Sequence, residues 1–382
     1  MRIFLSTLLF PFLVHAYPDF ISYGYRACIT CHYNGQGGGS LNDYGRAVWA
    51  SEITSQALTG NATAEQLGES SGFLGKTELP WYIRPGFKYR GLYLRSEFGS
   101  SKAVDRWIHM QADANVAIHF DENYEKVLVA SYGYTPTPQR LKSSNEPKPS
   151  NWLSHEYYFR WQTSKKQFLY VGFMDKFYGL KHPDHTAFNR ALIRNSQYDQ
   201  THGLAYQYLE QNFDLTGHIF MGNLAQSKDL RQAGASTLFE YGLSKSLTVG
   251  ATAMILANDY SEQKNIGAIS RVGFAKGKSF IAEIGLKDDK NKSISKSVLG
   301  YYSFMQGVVS ITRGYSFLTG LQLYQTELNS SSPLQNRMSL GGIFFPYPKT
   351  EFRFEFINSR TTAVENTAPD QWSLLAQVHL AL

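Results

Sequence analysis

The chain has 382 residues, of which 18% are charged, 43% hydrophobic and 15% aromatic, with 25 Phe, 25 Tyr and 6 Trp. A negative mean hydropathy excludes a bundle of transmembrane helices, and two cysteines exclude a fold held by a disulfide framework. The net charge of +6 is too mild and too scattered to argue for nucleic acid.

The N-terminus reads as an export signal. Arg2 is the positive start, Ile3 to Leu13 the apolar stretch, and Val14-His15-Ala16 the small-residue cleavage site. The apolar run of about 14 residues is shorter than the roughly 20 that a spanning helix needs. Residues 1–16 are therefore expected to be a signal peptide, with Tyr17 opening the mature chain; the alternative is a buried N-terminal helix.

Both cysteines lie in Cys28-Ile29-Thr30-Cys31-His32. In an exported chain this C-x-x-C-H spacing predicts covalent attachment of one c-type haem. The two thiols add across the haem vinyl groups, and His32 is the proximal iron ligand. A redox-active cysteine pair is the alternative, but no βαβ pattern surrounds the motif. A structural zinc site would need four ligands, and there is no second cysteine pair. Gly35, Gly37, Gly38 and Gly39 follow as a flexible loop, and Ser40 with Asp43 predicts a helix start. Tyr44, Val48, Trp49 and Ile53 give that helix an apolar side.

The segment is too short for an ordinary independent cytochrome core. It offers neither Met nor His between Tyr33 and Trp81, so a His/Met pair cannot close within it. A sixth ligand must then come from the rest of the chain, or the iron is five-coordinate or water-ligated.

From Trp81 onward the period is two. Ile108, Met110, Ala112, Ala114, Val116, Ile118 and Phe120 alternate with His109, Gln111, Asp113, Asn115 and His119. Phe352, Phe354 and Phe356 alternate with Glu351, Arg353 and Glu355, and Trp372 to Leu382 repeats the pattern. Apolar-out, polar-in stretches of about 10 residues predict a transmembrane barrel. A soluble sandwich would also alternate, but on shorter strands. About sixteen segments are predicted, near 81–95, 105–120, 125–134, 152–162, 167–175, 202–209, 213–223, 232–243, 247–257, 265–275, 280–287, 296–312, 317–328, 336–345, 350–358 and 371–382. Short turns such as Asp121–Tyr124 and Pro346–Lys349 alternate with longer polar loops at Thr135–Asn151, Lys176–Thr201, Asn258–Asn265, Asn329–Gln335 and Ser359–Asp370. Short turns are periplasmic and long loops extracellular in outer-membrane barrels, so both termini are expected in the periplasm of a Gram-negative cell.

The domain reading is a signal peptide over 1–16, a monohaem segment over 17–78 and an all-β outer-membrane barrel over 79–382. If the strand parity holds, His109, His119, His218 and His379 face the lumen and are the sixth-ligand candidates, with His119 and His379 nearest the periplasmic rim. Lys181-His182-Pro183-Asp184-His185 admits a metal reading, but a polar extracellular loop is the simpler one. Lys142 to Lys148 likewise reads as a solvated loop tip rather than an anion site. No catalytic triad, P-loop or zinc-protease signature is present.

Tyr17-Pro18-Asp19-Phe20, then Cys28-Ile29-Thr30-Cys31-His32, then Leu41-Asn42-Asp43-Tyr44-Gly45-Arg46 resembles the fused monohaem cytochrome–porins of bacterial outer membranes. The residue matches are confined to about positions 17–50, while the order of parts matches over the whole chain. The resemblance implies covalent haem on Cys28 and Cys31, iron ligation by His32, and electron transfer between an extracellular redox substrate and periplasmic electron carriers. The best-known members oxidise extracellular Fe(II), but no matched residue carries iron as the donor. The alternatives are a diffusion porin whose haem segment is a plug or redox sensor, and a structural or adhesion barrel.

Overall fold

The computed structural model describes residues 18–60, 62–75, 79–99, 102–136, 150–328, 332–362 and 369–382. The expected signal peptide over 1–16 and the loop tip Lys142–Lys148 lie outside the described residues.

The wall is a closed, fully antiparallel sheet. Its strands are β1 (Ile83–Phe98), β2 (Val104–His119), β3 (Lys126–Tyr134), β4 (Trp152–Leu153), β5 (Tyr157–Ser164), β6 (Gln167–Met174), β7 (Thr201–Leu209), β8 (Phe213–Phe220) and β9 (Ala233–Ser244). They continue as β10 (Leu247–Ala257), β11 (Ser261–Ala275), β12 (Lys278–Asn291), β13 (Lys296–Thr312), β14 (Tyr315–Gln325), β15 (Leu334–Phe344), β16 (Thr350–Thr362) and β17 (Gln371–Ala381). β4 and β5 both pair with β3, at its two ends, so they fill one place in the wall and leave sixteen strand positions. Pairing of β1 with β17, from Lys88↔Ala381 to Phe98↔Gln371, closes the ring and leaves no sheet edge.

The two-residue period decides which side each residue faces. Ile266, Ile284, Leu286, Phe354, Phe356, Trp372 and Leu374 are exposed on the outer face, while Gln263, Asn265, Arg271, Glu283, Glu351 and Arg353 are buried inside. Exposed aromatics on the wall, Trp107, Tyr132, Trp152 and Trp372 among them, account for part of the 15% aromatic content, in keeping with the aromatic girdles of membrane barrels. All sixteen expected segments match strands. The main shift is at Asn258–Asn265, where only residues 258–260 are loop, because β11 begins at Ser261 and its polar first turn-length extends the wall.

Connections alternate in length. Residues 120–125, 165–166, 210–212, 245–246, 276–277, 313–314 and 345–349 make short turns at one end. The start of β1 and the end of β17 lie at that same end, where Phe87 and Leu382 exchange both backbone hydrogen bonds at 2.9 and 2.8 Å. The N-terminal segment sits in this short-turn mouth. Gly277 N–H donates to Ser22 Oγ (3.1 Å), Arg313 donates to Thr54 O (2.7 Å), and Ser55 N–H donates to Phe345 O (2.8 Å). Tyr33 and Ile29 pack with Ala117, Val127, Tyr158 and Phe168 on one side. Phe20, Trp49 and Ile53 pack with Val308, Leu318 and Ile343 on the other. The segment is therefore anchored on opposing parts of the wall.

The expectation of a polar extracellular loop at Lys176–Thr201 is corrected. Residues 175–200 fold into the lumen: Tyr178, Leu180, Ala187 and Ile193 are buried against Met254, Leu256, Ile281, Tyr302 and Phe304, and Phe177 is buried with Tyr170 and Met174. Most of the loop's polar groups are satisfied there. Asn189 donates to Glu283 (2.7 Å), Lys176 donates to the carbonyls of Arg194 and Asp199 (2.8 and 2.5 Å), and Asp184 pairs with Arg337 (3.4 Å). A protease must pull a segment out of the lumen to cut it. Trypsin added to the folded protein is therefore expected to leave Lys176, Lys181, Arg190 and Arg194 uncut; rapid cleavage there, read by peptide mass, would place the loop outside.

Candidate functional site

The cysteine motif forms a single tight turn. Cys28–Thr30 is a 3-10 helix, and the N–H groups of Cys31 and His32 both donate to Cys28 O (3.1 and 3.0 Å). The chain then loops through residues 34–39 and returns, with His32 bridged to Leu41 and Tyr33 N–H donating to Ser40 O (3.2 Å). Gly37 takes φ +84°, and a Cβ there would lie 3.3 Å from Cys28 Sγ, so the loop passes close over the first thiol.

The stretch Leu41–Arg46 clamps this turn from outside. Asn42 N–H donates to Cys31 O (3.0 Å), its side-chain amide donates to Thr30 O (3.0 Å), and its Oδ1 accepts from Gly45 N–H (2.8 Å) as the N-cap of helix α1 (Asp43–Val48). A Cβ on Gly45 would fall 2.3 Å from Cys31 O, so only glycine lets the helix rest on the motif. The predicted cap at Ser40 is thus displaced to Asn42. Asp43 then pairs with Arg84 of β1 (2.8 Å), fixing the helix to the wall. Replacing Asn42 by Ala removes the cap and the clamp together and is expected to cost about 1 kcal/mol or more. Faster proteolysis within residues 18–75 in the folded protein is the readout.

The motif opens onto a cavity of about 390 Å³, within the range of small-molecule and cofactor sites. Cys28, Cys31 and His32 line it, with Trp49 from the five-residue π-helical turn Trp49–Ile53, Lys88 and Arg90 from β1, His379 from β17, and Lys181 and His182 from the inward loop. Seven lysines and arginines line it against four aspartates and glutamates, an excess that suits an anionic guest. Burial pushes the Cys28 thiol up to about 12 and Cys31 to about 11, the reverse of the lowered pKa that a redox-active pair needs. Burial first, and then the Lys88 charge, bring His32 down to about 4, so its imidazole is neutral at pH 7, the form that binds metals. His32 Nδ1 is buried without a hydrogen-bond partner among the described residues.

The four predicted lumen histidines separate. His379 lines the cavity; its Nδ1 meets Glu351 Oε2 at 3.2 Å and its ring lies 6.1 Å from Trp49. His119 faces inward beside the motif, with Nε2 on Tyr33 Oη (3.1 Å), yet does not line the cavity. His218 is buried between Phe177 and Phe220, also outside the lining. His109 is corrected. A β-bulge in β2 at Met110, where Arg90↔Gln111 is followed by Gly91↔His109, reverses the parity. His109 is therefore exposed on the outer face beside Tyr89 and Trp107.

Sequence reasoning missed His155 and misplaced His182 and His185, all three of which line the cavity. His182 stacks on Phe304 at 4.0 Å and 10°, with Nε2 on Asn189 Oδ1 (2.9 Å). The Lys181–His185 run is not gathered into a metal site: among the described residues no group of three or more His, Cys, Asp or Glu is placed to hold a metal ion.

No family model matches the chain, and no curated protein matches it. Solved structures do. OmpT of Vibrio cholerae, an outer-membrane protein, superposes with TM-score 0.61 at 8% identity, covering 78% of this chain and 97% of that one. An anion-selective porin from Comamonas acidovorans gives TM-score 0.57 at 7% identity, over 78% and 99%. Salmonella typhi OmpF, in complex with daunomycin, gives 0.59 at 11% identity, over 78% and 97%. At such identities the likeness speaks for the wall alone: this is the closed sixteen-strand barrel fold of the outer-membrane porins.

Proposed function

We propose that the protein is an outer-membrane electron carrier in which residues 18–75 hold one covalent c-type haem in the short-turn mouth of a porin-like barrel. The observation that carries this reading is the convergence of Cys28, Cys31 and His32 on one cavity whose far side is built by the wall and the inward loop. The residues fit the group. Two protonated thiols stand one turn apart, a neutral buried imidazole follows them, and Lys88, Arg90 and Lys181 offer charge to the two carboxylates that haem carries.

Haem held there supplies a one-electron couple. The chain's own residues do the remainder. Cys28 and Cys31 tether the macrocycle, His32 ligates the iron, and Asn42 and Gly45 hold the motif turn rigid. Trp49 and Phe345 exclude water along one side of the cavity. Electrons would pass between periplasmic carriers at the short-turn mouth and an extracellular donor or acceptor reached through the lumen. Both chain ends of the barrel lie at the short-turn end, which supports periplasmic termini. The resemblance to the fused cytochrome–porins favours extracellular Fe(II) as donor, and so a metal oxidase activity.

The second reading is a diffusion porin whose N-terminal segment is a plug or redox sensor, and the likeness of the wall to porins favours it. A reduced-minus-oxidised spectrum and a pyridine haemochrome assay of the native protein test the haem. Electrode voltammetry then separates the readings: a catalytic wave on adding Fe(II) supports electron transfer, whereas ion conductance without such a wave supports the porin.

A further inference from the structure

Building on the haem reading, we infer that His379 is the sixth iron ligand and that Glu351 is its positioning residue, so the site is a bis-histidine centre closed by the last strand of the barrel. Three observations converge. His379 shares the cavity with Cys28, Cys31 and His32, whereas His119 and His218 lie outside its lining and His109 is on the outer face. Its Nδ1 is engaged by the carboxylate of Glu351 at 3.2 Å, and that carboxylate side chain is only 1% exposed. A histidine that donates Nδ1–H to a buried carboxylate is held in one tautomer and presents Nε2 to a metal, the second-shell pattern typical of ligating histidines. Lastly, the ring lies against Trp49, which follows directly on helix α1, itself clamped to the cysteine motif through Asn42 and Gly45. Motif and distal histidine are thus positioned by one rigid unit.

Of the other cavity histidines, His182 and His155 have Nε2 on Asn189 Oδ1 and Thr135 Oγ1 (both 2.9 Å), which leaves the more hindered Nδ1 for any metal. His185 also lines the cavity, but it rides on the inward loop, where its charge interacts with the Asp184 carboxylate, and not on the barrel wall. Glu351 and His379 face each other across the β16–β17 pair, where Glu351↔His379 is a direct register match. The barrel wall itself therefore sets their spacing.

The test uses full-length protein matured in a host with haem-attachment machinery. The parent is expected to be low-spin, with the near-infrared charge-transfer band of bis-imidazole iron. His379→Ala should turn it high-spin while the covalent haem stays attached by intact mass, and added imidazole should restore the low-spin spectrum. His182→Ala, His155→Ala and His185→Ala should each keep the parent spectrum. His379→Met should keep a low-spin iron with a shifted near-infrared band and a higher midpoint potential, which reads the ligand without a cavity being left. Glu351→Gln should stay low-spin with its potential raised, since the carboxylate makes the imidazole a stronger donor; a merely structural glutamate would leave the potential unmoved. A low-spin His379→Ala protein, or a high-spin parent, would overturn His379 as the ligand and leave the haem standing. A parent with no attached haem would overturn the haem reading and this inference with it.

Discussion

The mature protein is expected to weigh one haem more than the polypeptide that begins at Tyr17, and Cys28→Ser/Cys31→Ser is expected to lose that mass completely. Each thioether uses one thiol and one vinyl, so either single variant should keep the haem through its remaining bond. Its pyridine haemochrome band should then move to longer wavelength, because one vinyl stays conjugated with the ring. The raised pKa of both thiols, about 12 and 11, makes adventitious thiolate chemistry slow at neutral pH. The barrel should survive the double substitution, since its closing pairs run between β1 and β17 and involve neither cysteine. Unchanged heat-modifiable mobility on gels would show this. A parent mass matching bare polypeptide, from a host with maturation machinery, would sink the haem; a mass two hydrogens lower would mark a Cys28–Cys31 disulfide and hence the redox-pair alternative.

Most of the wall was legible because a lipid-facing strand must alternate. Ile284 and Leu286 look outward while Glu283 looks in, and no other secondary structure tolerates that spacing. The cysteine motif was equally legible, and the structure adds what Leu41–Arg46 is for: Asn42 ties off the carbonyls that the turn leaves open, and Gly45 admits the helix. Two features were hidden for physical reasons. The bulge at Met110 adds a single residue to β2, and since His109 and Gln111 are both polar, the alternation reads the same with or without it.

The inward loop was hidden by its polarity. Lys176, Lys181, His182, Asp184, Asn189 and Arg190 look solvated, yet inside the barrel they are satisfied by partners within the loop and, at Asp184 and Asn189, by Arg337 and Glu283 of the wall. Its apolar residues, Phe177, Leu180 and Ile193, keep no period at all. A signal did exist on the other side of the contact. β10 and β13 carry Met254, Leu256, Tyr302 and Phe304 on their inward faces, where an open aqueous lumen would favour polar groups. Apolar residues on both faces of a barrel strand therefore mark where something folds in to cover them. The three misjudged histidines follow from this one omission: His182 and His185 ride on the loop, and His155 sits where the wall breaks between β4 and β5.

Deleting residues 18–75 is expected to raise the single-channel conductance of the barrel several-fold in planar bilayers. The segment bridges the short-turn mouth. It is held on one side by Tyr33 against Tyr158 and Phe168, and on the other by Trp49 and Ile53 against Val308 and Ile343. Arg313 and Arg84 bond it to the rim between these anchors. Its removal takes that bulk out of the conduction path but leaves the loop of residues 175–200 in place, since that loop is bonded to Glu283, Arg337 and Gln322 of the wall. Conductance should therefore rise without reaching that of an unobstructed barrel, and removing residues 176–199 as well should raise it again. The size of the first step separates a closed mouth, expected of the electron carrier and of a plugged porin alike, from a porin whose segment leaves the pore open. A barrel built to carry electrons gains from a tight mouth that keeps solutes from crossing, so the parent should conduct little and the deletion much. A diffusion porin whose segment is a redox sensor, not a plug, must already pass solutes around it. Parent and deletion variants with the same conductance would show that the mouth is open past residues 18–75, and would favour the porin.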